Sequence, residues 1–342
     1  MSVHAPPTTR EIHLVGAPVG LPGPEHLAVV ETAMPTPRAG HVIVRNRHFL
    51  VFPGLRTLIG GEVEGVPLPP VHVGDALFGP AVGEVVTVGA GSALRPGDLV
   101  SHLRGWREHA LLSDDDCVPL SDVLDDPVAF LSSGAAAYAA LTRLAGVRPG
   151  DTVLVTGAAG AVGSLAGQVA RLLGAERVVG TTRSARKAER LTADLGYDAV
   201  VVPGTAPFAE QLAAAAPDGI DVLLDTVGGE QLTAAVGAAR RGARFALVGA
   251  LSGQLSADRD GTTAPAEIDT FRVITLGITL RGCSSSDLGG AAEEWNTRFG
   301  DWLRSGEIVF PHVRIAGIDR APRALQELFE GRHTGTVVVD VT

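Results

Sequence analysis

The sequence predicts an α/β protein in which a β-rich domain accompanies a doubly wound parallel sheet. Residues 1 to about 125 carry short β-branched runs separated by Gly and Pro, which is typical of strands joined by tight turns. From about 130 to 290, short apolar runs alternate with Ala- and Leu-rich segments of helical spacing. This alternation predicts a parallel sheet covered by helices. With 342 residues, the chain is long enough for two domains that each bury a core.

The β-rich domain is predicted from the runs "HVIVRN", "GEVVTVG", "GDLVSHL" and "EHALL". Near the C-terminus, "RAPRALQELFEGRHTGTVVVDVT" predicts a helix followed by a last strand. We expect this pair to return to the N-terminal domain, because the parallel sheet is already complete with six strands. The predicted domains are therefore 1–129 together with 308–342, and 130–307.

The parallel sheet is predicted strand by strand from continuous apolar runs. Between several of them lie segments with helical spacing, such as "SARKAERLTADLG" (184–196) and "GEQLTAAVGAARRG" (229–242). The six predicted strands are 153–156, 177–181, 199–202, 221–226, 244–249 and 276–281.

A glycine-rich turn, "GAAGAVG" (157–163), follows the first of these strands and opens a helix. Such a turn directs backbone N–H groups and the positive end of the helix dipole at one point, which favours a pyrophosphate. Ala158 stands where the usual fingerprint has its first glycine, yet the strand and helix on either side have the expected pattern. The sequence therefore predicts a Rossmann dinucleotide site. The residues expected to contact the pyrophosphate are Gly157, Gly160, Ala161, Val162 and Gly163.

The end of the second parallel strand indicates which dinucleotide is bound. Chains that bind NAD usually carry an Asp or Glu there, about 20 residues beyond the glycine turn, to bond the ribose 2′-hydroxyl. Here the strand ends in "TTRS" (181–184), followed by Arg186 and Lys187, and no acid is present. Hydroxyl groups and three cations suit a 2′-phosphate, so the sequence predicts NADP(H). The expected contacts are Thr182, Arg183, Ser184 and Lys187.

Small residues also follow three later strands, in "DTVGG" (225–229), "LVGALSG" (247–253) and "RGCSSSDLGG" (281–290). Ligands of open α/β sheets lie across the carboxyl ends of the strands, so we expect these segments to line the rest of the cofactor. The residues assigned to it are Thr226, Val227, Gly249, Ala250, Leu251, Cys283 and Ser284.

Composition excludes several classes of partner. A formal net charge of −10 argues against nucleic acid or an anionic membrane surface as the partner. The sequence has no apolar stretch of about 18 residues and no signal peptide. Its two cysteines, Cys117 and Cys283, are too few for a disulfide framework or a Cys-rich zinc site. We therefore expect a cytoplasmic protein without a bound metal.

These segments, with "DGIDVLLDTVGGEQL", "WLRSGEI" and "LFEGRHTGTVVV", resemble the medium-chain dehydrogenase/reductase superfamily. They are most similar to its zinc-independent branch of prostaglandin reductases, alkenal double-bond reductases and NADPH-dependent curcumin-reductase-like enzymes. The resemblance implies a GroES-like β domain, an inserted Rossmann domain, a homodimer and a small-molecule substrate.

Three departures from the family pattern concern the substrate site. "LFGPAVGEV" stands where zinc-dependent members have Gly-His-Glu. "FPGLR" (52–56) stands where members commonly read Asp-Pro-Tyr-Met-Arg, so an aromatic wall of the substrate pocket is missing. The tyrosine that many members place over the nicotinamide falls in the run 284–286, which is all serine. The resemblance therefore predicts the cofactor better than the substrate.

The family chemistry implied is hydride transfer from NADPH to an α,β-unsaturated carbonyl, an enoyl group or a quinone, without zinc. The developing enolate oxygen needs hydrogen-bond donors, and the α carbon then takes a proton from a side chain or water. The catalytic candidates are Tyr138, Ser284, Ser285 and Arg56, although Tyr138 also fits a packed aromatic role and Arg56 an ion pair. Two alternatives remain: a biosynthetic reductase of a C=N or carrier-bound enoyl group, and a catalytically silent NADPH-binding scaffold or sensor.

Overall fold

The structure, a computed structural model, describes residues 7–66, 68–204 and 206–341. It divides into two compact units. The first takes its described residues from Met1–Leu131, Val313–Arg332 and Val337–Thr342, and the second from Ser132–His312 and His333–Thr336. The divisions thus fall a few residues after those that the sequence predicts, and 333–336 belongs to the second unit.

Strands and helices are numbered along the chain. The strands are β1 (Thr8–Leu14), β2 (Leu27–Ala33), β3 (His41–Val51), β4 (Ala81–Val88), β5 (Leu99–His102), β6 (His109–Ser113), β7 (Val118–Pro119), β8 (Thr152–Val155), β9 (Arg177–Thr181), β10 (Ala199–Val201), β11 (Ile220–Asp225), β12 (Ala239–Leu247), β13 (Thr279–Gly282), β14 (His312–Ala316) and β15 (Thr336–Asp340). The helices are α1 (Leu55–Gly60), α2 (Gly134–Ala139), α3 (Gly163–Leu172), α4 (Ala185–Asp194), α5 (Phe208–Ala215), α6 (Gly229–Gly237), α7 (Leu251–Gln254), α8 (Thr270–Leu276), α9 (Ser285–Gly289), α10 (Ala291–Ser305) and α11 (Ala321–Phe329). None of these described helices combines the length and apolar character needed to cross a membrane.

The first unit is built on a sheet in the order β14-β15-β3-β4-β5-β7, with β6 also paired to β3. The last strand, β15, pairs antiparallel with β3 and places Val338 opposite Leu50. A separate antiparallel ribbon is formed by β1 and β2. Side chains on one face of β3 and β4, among them Val42, Val44 and Val85, form a buried core cluster. This unit is the β-rich part that the sequence predicts.

The second unit contains a six-stranded parallel sheet in the order β10-β9-β8-β11-β12-β13. The order runs outward in both directions from β8 and β11, so the point where the topology reverses lies between these two strands. Ligands of doubly wound sheets bind at this point. The strands carry the buried side chains of Leu154, Val179, Leu223 and Phe245, which form one apolar core. The predicted fold class is confirmed.

Two predicted elements end differently in the structure. The helical pattern over 229–242 is wrong in its last turn, since α6 ends at Gly237 and β12 already begins at Ala239. The strand predicted over 276–281 begins three residues late. Asp269 caps α8 through the N–H groups of Phe271 and Arg272, and Gly277 ends that helix with a φ of 64°. Leu276, the first residue of the predicted strand, is therefore the last residue of α8 instead.

Candidate functional site

The turn between β8 and α3 is shaped by glycines at close approaches. Gly157 has a φ of 62°, and a Cβ there would lie 2.5 Å from the Thr226 hydroxyl oxygen. A Cβ on Gly163 would lie 2.5 Å from the carbonyl oxygen of Gly157 and 2.6 Å from the Cα of Ala158. Side chains at either position would therefore push the turn away from its neighbours. The two glycines let the start of α3 pack directly on the turn backbone.

The outer surface of this turn is open at Gly160. The residue is exposed, and a Cβ built on it would meet nothing closer than the Gly157 carbonyl oxygen at 3.3 Å. Ala161 and Val162 follow, half-buried, and lead into the first turn of α3. The first N–H groups of a helix have no partner within the helix, and they favour an anion at its N-terminus. This exposed backbone at the start of α3 is the segment at which the sequence predicts a pyrophosphate.

A cluster of cations lies at the start of α4, beyond the end of β9. The Ser184 hydroxyl oxygen caps α4 by accepting the N–H of Lys187 at 3.4 Å. The Lys187 side chain is buried, whereas Arg183 and Arg186 are exposed. Burial, followed by the positive charges of Arg183 and Arg186, lowers the pKa of Lys187 to about 8. An anion bound here would relieve that repulsion.

Thr181 and Thr182, at the end of β9, are both buried. The N–H of Thr182 donates to the carbonyl oxygen of Val201 at 3.1 Å. The Thr181 hydroxyl oxygen accepts the N–H of Gly157 at 3.0 Å and donates to the Gln231 side chain at 2.7 Å. The end of β9 is thereby hydrogen-bonded to the glycine turn, so the segment that carries the cations begins beside that turn.

The buried carboxylate of Asp225 holds the turn after β11 in place through hydrogen bonds. The sequence pattern did not assign this residue to the site. Asp225 Oδ1 accepts the Thr156 hydroxyl at 2.5 Å and the N–H groups of Val227 and Gly228 at 3.0 Å each. The N–H of Thr226 in turn donates to the Thr156 hydroxyl oxygen at 2.8 Å. This network fixes Thr226 and Val227 beside the end of β8. An Asp directly before "TVGG" is the signal that could have predicted it, because Asp side chains often bond backbone N–H groups two residues on.

The turn after β12 packs on the turn after β11. The N–H of Leu251 donates to the Thr226 carbonyl oxygen at 3.1 Å. A Cβ on Gly249 would lie 2.9 Å from that same oxygen, so the close approach requires glycine. Ala250 lies between these residues and is half-buried. The structure thus brings together the two segments that the sequence assigns to the cofactor.

Cys283 and Ser284 follow β13 at the same edge of the sheet. The N–H of Cys283 donates to the Leu247 carbonyl oxygen at 2.8 Å, and burial raises the pKa of the Cys283 thiol. The Ser284 hydroxyl donates to Asp287 Oδ2 at 2.7 Å and caps α9. This bond and the one from the Ser284 N–H lower the pKa of Asp287. Ser285 begins α9, and its side chain lies outside what the structure describes.

Tyr138 lies in α2 within an aromatic cluster. Its ring centroid is 6.2 Å from that of Trp295 and 6.4 Å from that of Trp302. The hydroxyl donates to Glu294 Oε1 at 2.5 Å, and Arg143 also contacts this carboxylate. Burial, followed by the bond to Glu294, raises the pKa of Tyr138. The phenol therefore links α2 to α10.

Arg56, the fourth catalytic candidate, lies in the first unit, whereas the other three lie in the second. It is buried in the short helix α1. The preceding aromatic residue, Phe52, is half-buried and fills the space between two glycines. A Cβ on Gly54 would lie 2.9 Å from the Phe52 ring, and a Cβ on Gly79 would lie 2.6 Å from it. We call these three residues the Phe52 wedge.

Comparison with known proteins agrees with this arrangement. Two family models match: one described as zinc-binding dehydrogenase, over residues 161–304, and one described as the N-terminal domain of oxidoreductase, over residues 10–120. The NADPH-dependent curcumin reductase of Escherichia coli (strain K12) is 30% identical, over 96% of this chain and 95% of its own. Prostaglandin reductase 1 of Bos taurus is 30% identical, over 98% of this chain and 99% of its own.

Two solved structures are similar to the chain over nearly its whole length. The crystal structure of CurA from Vibrio vulnificus superposes with a TM-score of 0.87 at 28% identity, covering 98% of this chain and 99% of that chain. CurA has also been solved in complex with NADPH, and that structure superposes with the same TM-score of 0.87.

The fold, the nucleotide turn and these matches define a medium-chain dehydrogenase/reductase. Within that superfamily, the chain belongs to the branch that includes curcumin, alkenal and prostaglandin reductases. Within the described ranges, no three His, Cys, Asp or Glu side chains lie together as a metal ion would require.

Proposed function

We propose that this protein is a zinc-free, NADPH-dependent oxidoreductase that transfers a hydride to an activated C=C bond, in an α,β-unsaturated carbonyl, an enoyl compound or a quinone. The observation that carries the proposal is the buried Lys187, which feels the positive charges of Arg183 and Arg186, in the region where an NAD site has a carboxylate. Three cations in a stretch, 181–187, whose sequence includes no Asp or Glu suit the 2′-phosphate of NADP(H). The names of two relatives, NADPH-dependent curcumin reductase and 2-alkenal reductase (NADP(+)-dependent), support both the cofactor and the double bond.

The residues of the second unit fit this cofactor. Gly160, Ala161, Val162 and Gly163 would hold the diphosphate on the N-terminus of α3, where the missing side chain at Gly160 leaves the backbone clear. Around the 2′-phosphate, the hydroxyl groups and cations at the end of β9 would act together. The rest of the cofactor would lie along the turns after β11, β12 and β13. The residues assigned to these two regions are Thr182, Arg183, Ser184, Lys187, Thr226, Val227, Gly249, Ala250, Leu251, Cys283 and Ser284.

When bound, NADPH supplies a hydride to the β carbon of the acceptor. The chain binds and orients the reactants, excludes water and stabilises the charge that develops on the acceptor oxygen. Backbone N–H groups are suitable donors to that oxygen. The proton that completes the reduction at the α carbon comes from Ser284 or from water.

The catalytic candidates divide into two kinds. Ser284 and Ser285 stand at the edge of the sheet where the cofactor turns meet, so we propose that they contact the reactants. Tyr138 donates its hydroxyl to Glu294, so we assign it the support of α2 rather than proton transfer. Arg56 is buried in the first unit, and we propose that it orients a carboxylate or phosphate group of the substrate.

We further propose a cytoplasmic homodimer. The strand β13 forms an edge of the parallel sheet, and edge strands offer backbone groups for pairing with another chain. On the adjoining helix α8, Phe271 is 73% exposed and Ile274 is 75% exposed. A second copy related by a two-fold axis would cover both features. Sedimentation analysis of the wild type and of Ile274→Asp tests this assembly: the variant should be monomeric.

The activity is tested by NADPH oxidation against enones, enals, quinones and cyclic imines. We expect turnover with conjugated C=C acceptors and little with NADH. Ser284→Ala separates the two proton sources, since it should lower kcat by a larger factor than it lowers NADPH affinity if the serine delivers the proton. Turnover of imines alone would favour the C=N alternative. Tight NADPH binding with no turnover on any acceptor would refute reductase activity and favour a scaffold.

A further inference from the structure

The segment His333–Thr336, which we call the return segment, connects α11 to β15. The sequence assigns it to the β-rich domain, but the structure includes it in the second unit. Gly335 and Thr336 are buried, and His333 and Thr334 are half-buried. The chain thus leaves the first unit after α11, contributes these four residues to the second unit and continues into β15.

Backbone contacts hold the return segment against the glycine turn. The N–H of Gly335 donates to the Ala159 carbonyl oxygen at 2.9 Å, and Gly335 also forms a parallel bridge with Gly160. On its other side, the N–H of Thr336 donates to the Pro311 carbonyl oxygen at 2.9 Å. Gly335 has a φ of 80°, and a Cβ there would overlap that carbonyl group of Pro311. The segment therefore fits a narrow space beside the proposed diphosphate site.

The third contact reaches the cation cluster. The Lys187 ammonium donates to the backbone carbonyl oxygen of His333. An ammonium has three N–H donors, so donation to a carbonyl does not by itself prevent donation to a phosphate. One side chain can thus bond both an anion and the return segment.

The strength of that contact depends on the charge of Lys187. The charged groups facing it are Arg183 and Arg186, which disfavour its ammonium form. Above pH 8, where most Lys187 side chains of the free protein are uncharged, a 2′-phosphate would oppose the two arginines and keep Lys187 charged. Hydrogen bonds from a charged donor are about twice as strong as neutral ones. Binding of the phosphate would therefore strengthen the bond from Lys187 to the His333 carbonyl.

We propose that the return segment senses the 2′-phosphate of the cofactor: NADPH, through Lys187, orders residues 333–336 against the glycine turn, and NADH does not. Lys187 is then a positioning residue as well as a phosphate ligand. Because the segment continues directly into β15, the phosphate acts on the backbone that enters the first unit. This inference rests on the proposed cofactor and adds a role that phosphate binding alone does not require.

The test is amide hydrogen exchange of the full-length protein, measured on peptides that cover 333–336. At pH 9 and saturating nucleotide, NADPH should slow exchange at Gly335 and Thr336 by about fivefold or more relative to saturating NADH, because only the 2′-phosphate keeps Lys187 charged at that pH. In Lys187→Met, NADPH at a concentration that restores saturation should give no more protection than NADH. The matched control is Arg190→Met, which removes an exposed cation from the same helix, and it should behave as wild type.

The outcomes separate this inference from the proposed function. If calorimetry detects no NADPH binding by the wild type, both are wrong. If NADPH binds but protects 333–336 no more than NADH does, the cofactor assignment stands and the inference is overturned. Full protection in saturated Lys187→Met would also overturn it, because the phosphate would then act without the lysine. A second variant, Gly335→Ala, should abolish the difference between the two nucleotides, whereas Gly306→Ala, whose Cβ meets open space at a similar φ, should retain it.

Discussion

The affinity for NADPH should fall as the pH rises through about 8, because Lys187 loses its proton there in the free protein. Burial and the two neighbouring arginines lower its pKa, so the proton is held less tightly than in an unfolded chain. A bound 2′-phosphate, already close to doubly charged at pH 7, favours the ammonium form and raises that pKa again. Binding therefore takes up a proton above pH 8. The fraction of free protein with charged Lys187 falls about tenfold between pH 7 and pH 9, so the dissociation constant for NADPH should rise by about the same factor, or about 1.4 kcal/mol.

Calorimetric titration from pH 6.5 to pH 9 measures this effect. NADH provides the first control, since without the phosphate its affinity should change by less than about threefold over the same range. Lys187→Met provides the second, because NADPH should bind it more weakly at pH 7 but with a flat pH profile. Equal slopes for NADPH and NADH, or an unchanged slope in Lys187→Met, would refute the assignment of Lys187 to the phosphate.

Three further predictions concern the rest of the site. Gly163→Ala places a methyl group against the backbone of the glycine turn, so the free energy of unfolding should fall by about 1–3 kcal/mol in denaturant titrations. The control Gly237→Ala, with open space around its Cβ, should not be destabilised. Asp225→Asn disturbs a buried carboxylate that accepts hydrogen bonds from three donors, so we expect a loss of about 2–3 kcal/mol by the same measurement and weaker NADPH binding. Unchanged values would mean that the turn is held by other groups. Tyr138→Phe removes only the bond to Glu294, so the free energy of unfolding should fall by about 1 kcal/mol while kcat changes little. A drop in kcat of about 100-fold or more would instead make Tyr138 the proton donor.

The parallel sheet could be predicted because its signals are local. Continuous β-branched runs marked the strands, and the "GAAGAVG" turn marked the first strand-to-helix connection. Where the prediction was wrong, a local pattern was ambiguous: "AARRG" (238–242) continues the helical spacing of α6, yet Ala239 already pairs with β11. Pairing of Ala239 with Ile220 of β11 decided that conflict, and such tertiary contacts cannot be read from a short window.

The backbone positions of the candidate site could be predicted from the sequence, whereas the hydrogen-bond partners of its side chains could not. Glycine positions and the missing acid are visible in the sequence. The bond from Tyr138 to Glu294 spans 156 positions, and that from Lys187 to His333 spans 146. No rule of sequence spacing predicts either pair, because the residues of each pair meet only in the packed fold. Only the packed fold could show that 333–336 contacts the glycine turn.

The Phe52 wedge restricts how this protein can change over evolution. Neither Gly54 nor Gly79 can gain a side chain while the phenylalanine ring fills the space that both leave. A variant with a tyrosine at position 54 must first carry a smaller residue at position 52. The three positions should therefore vary as a group among homologous sequences, with an aromatic residue at 52 accompanied by glycine at both other positions.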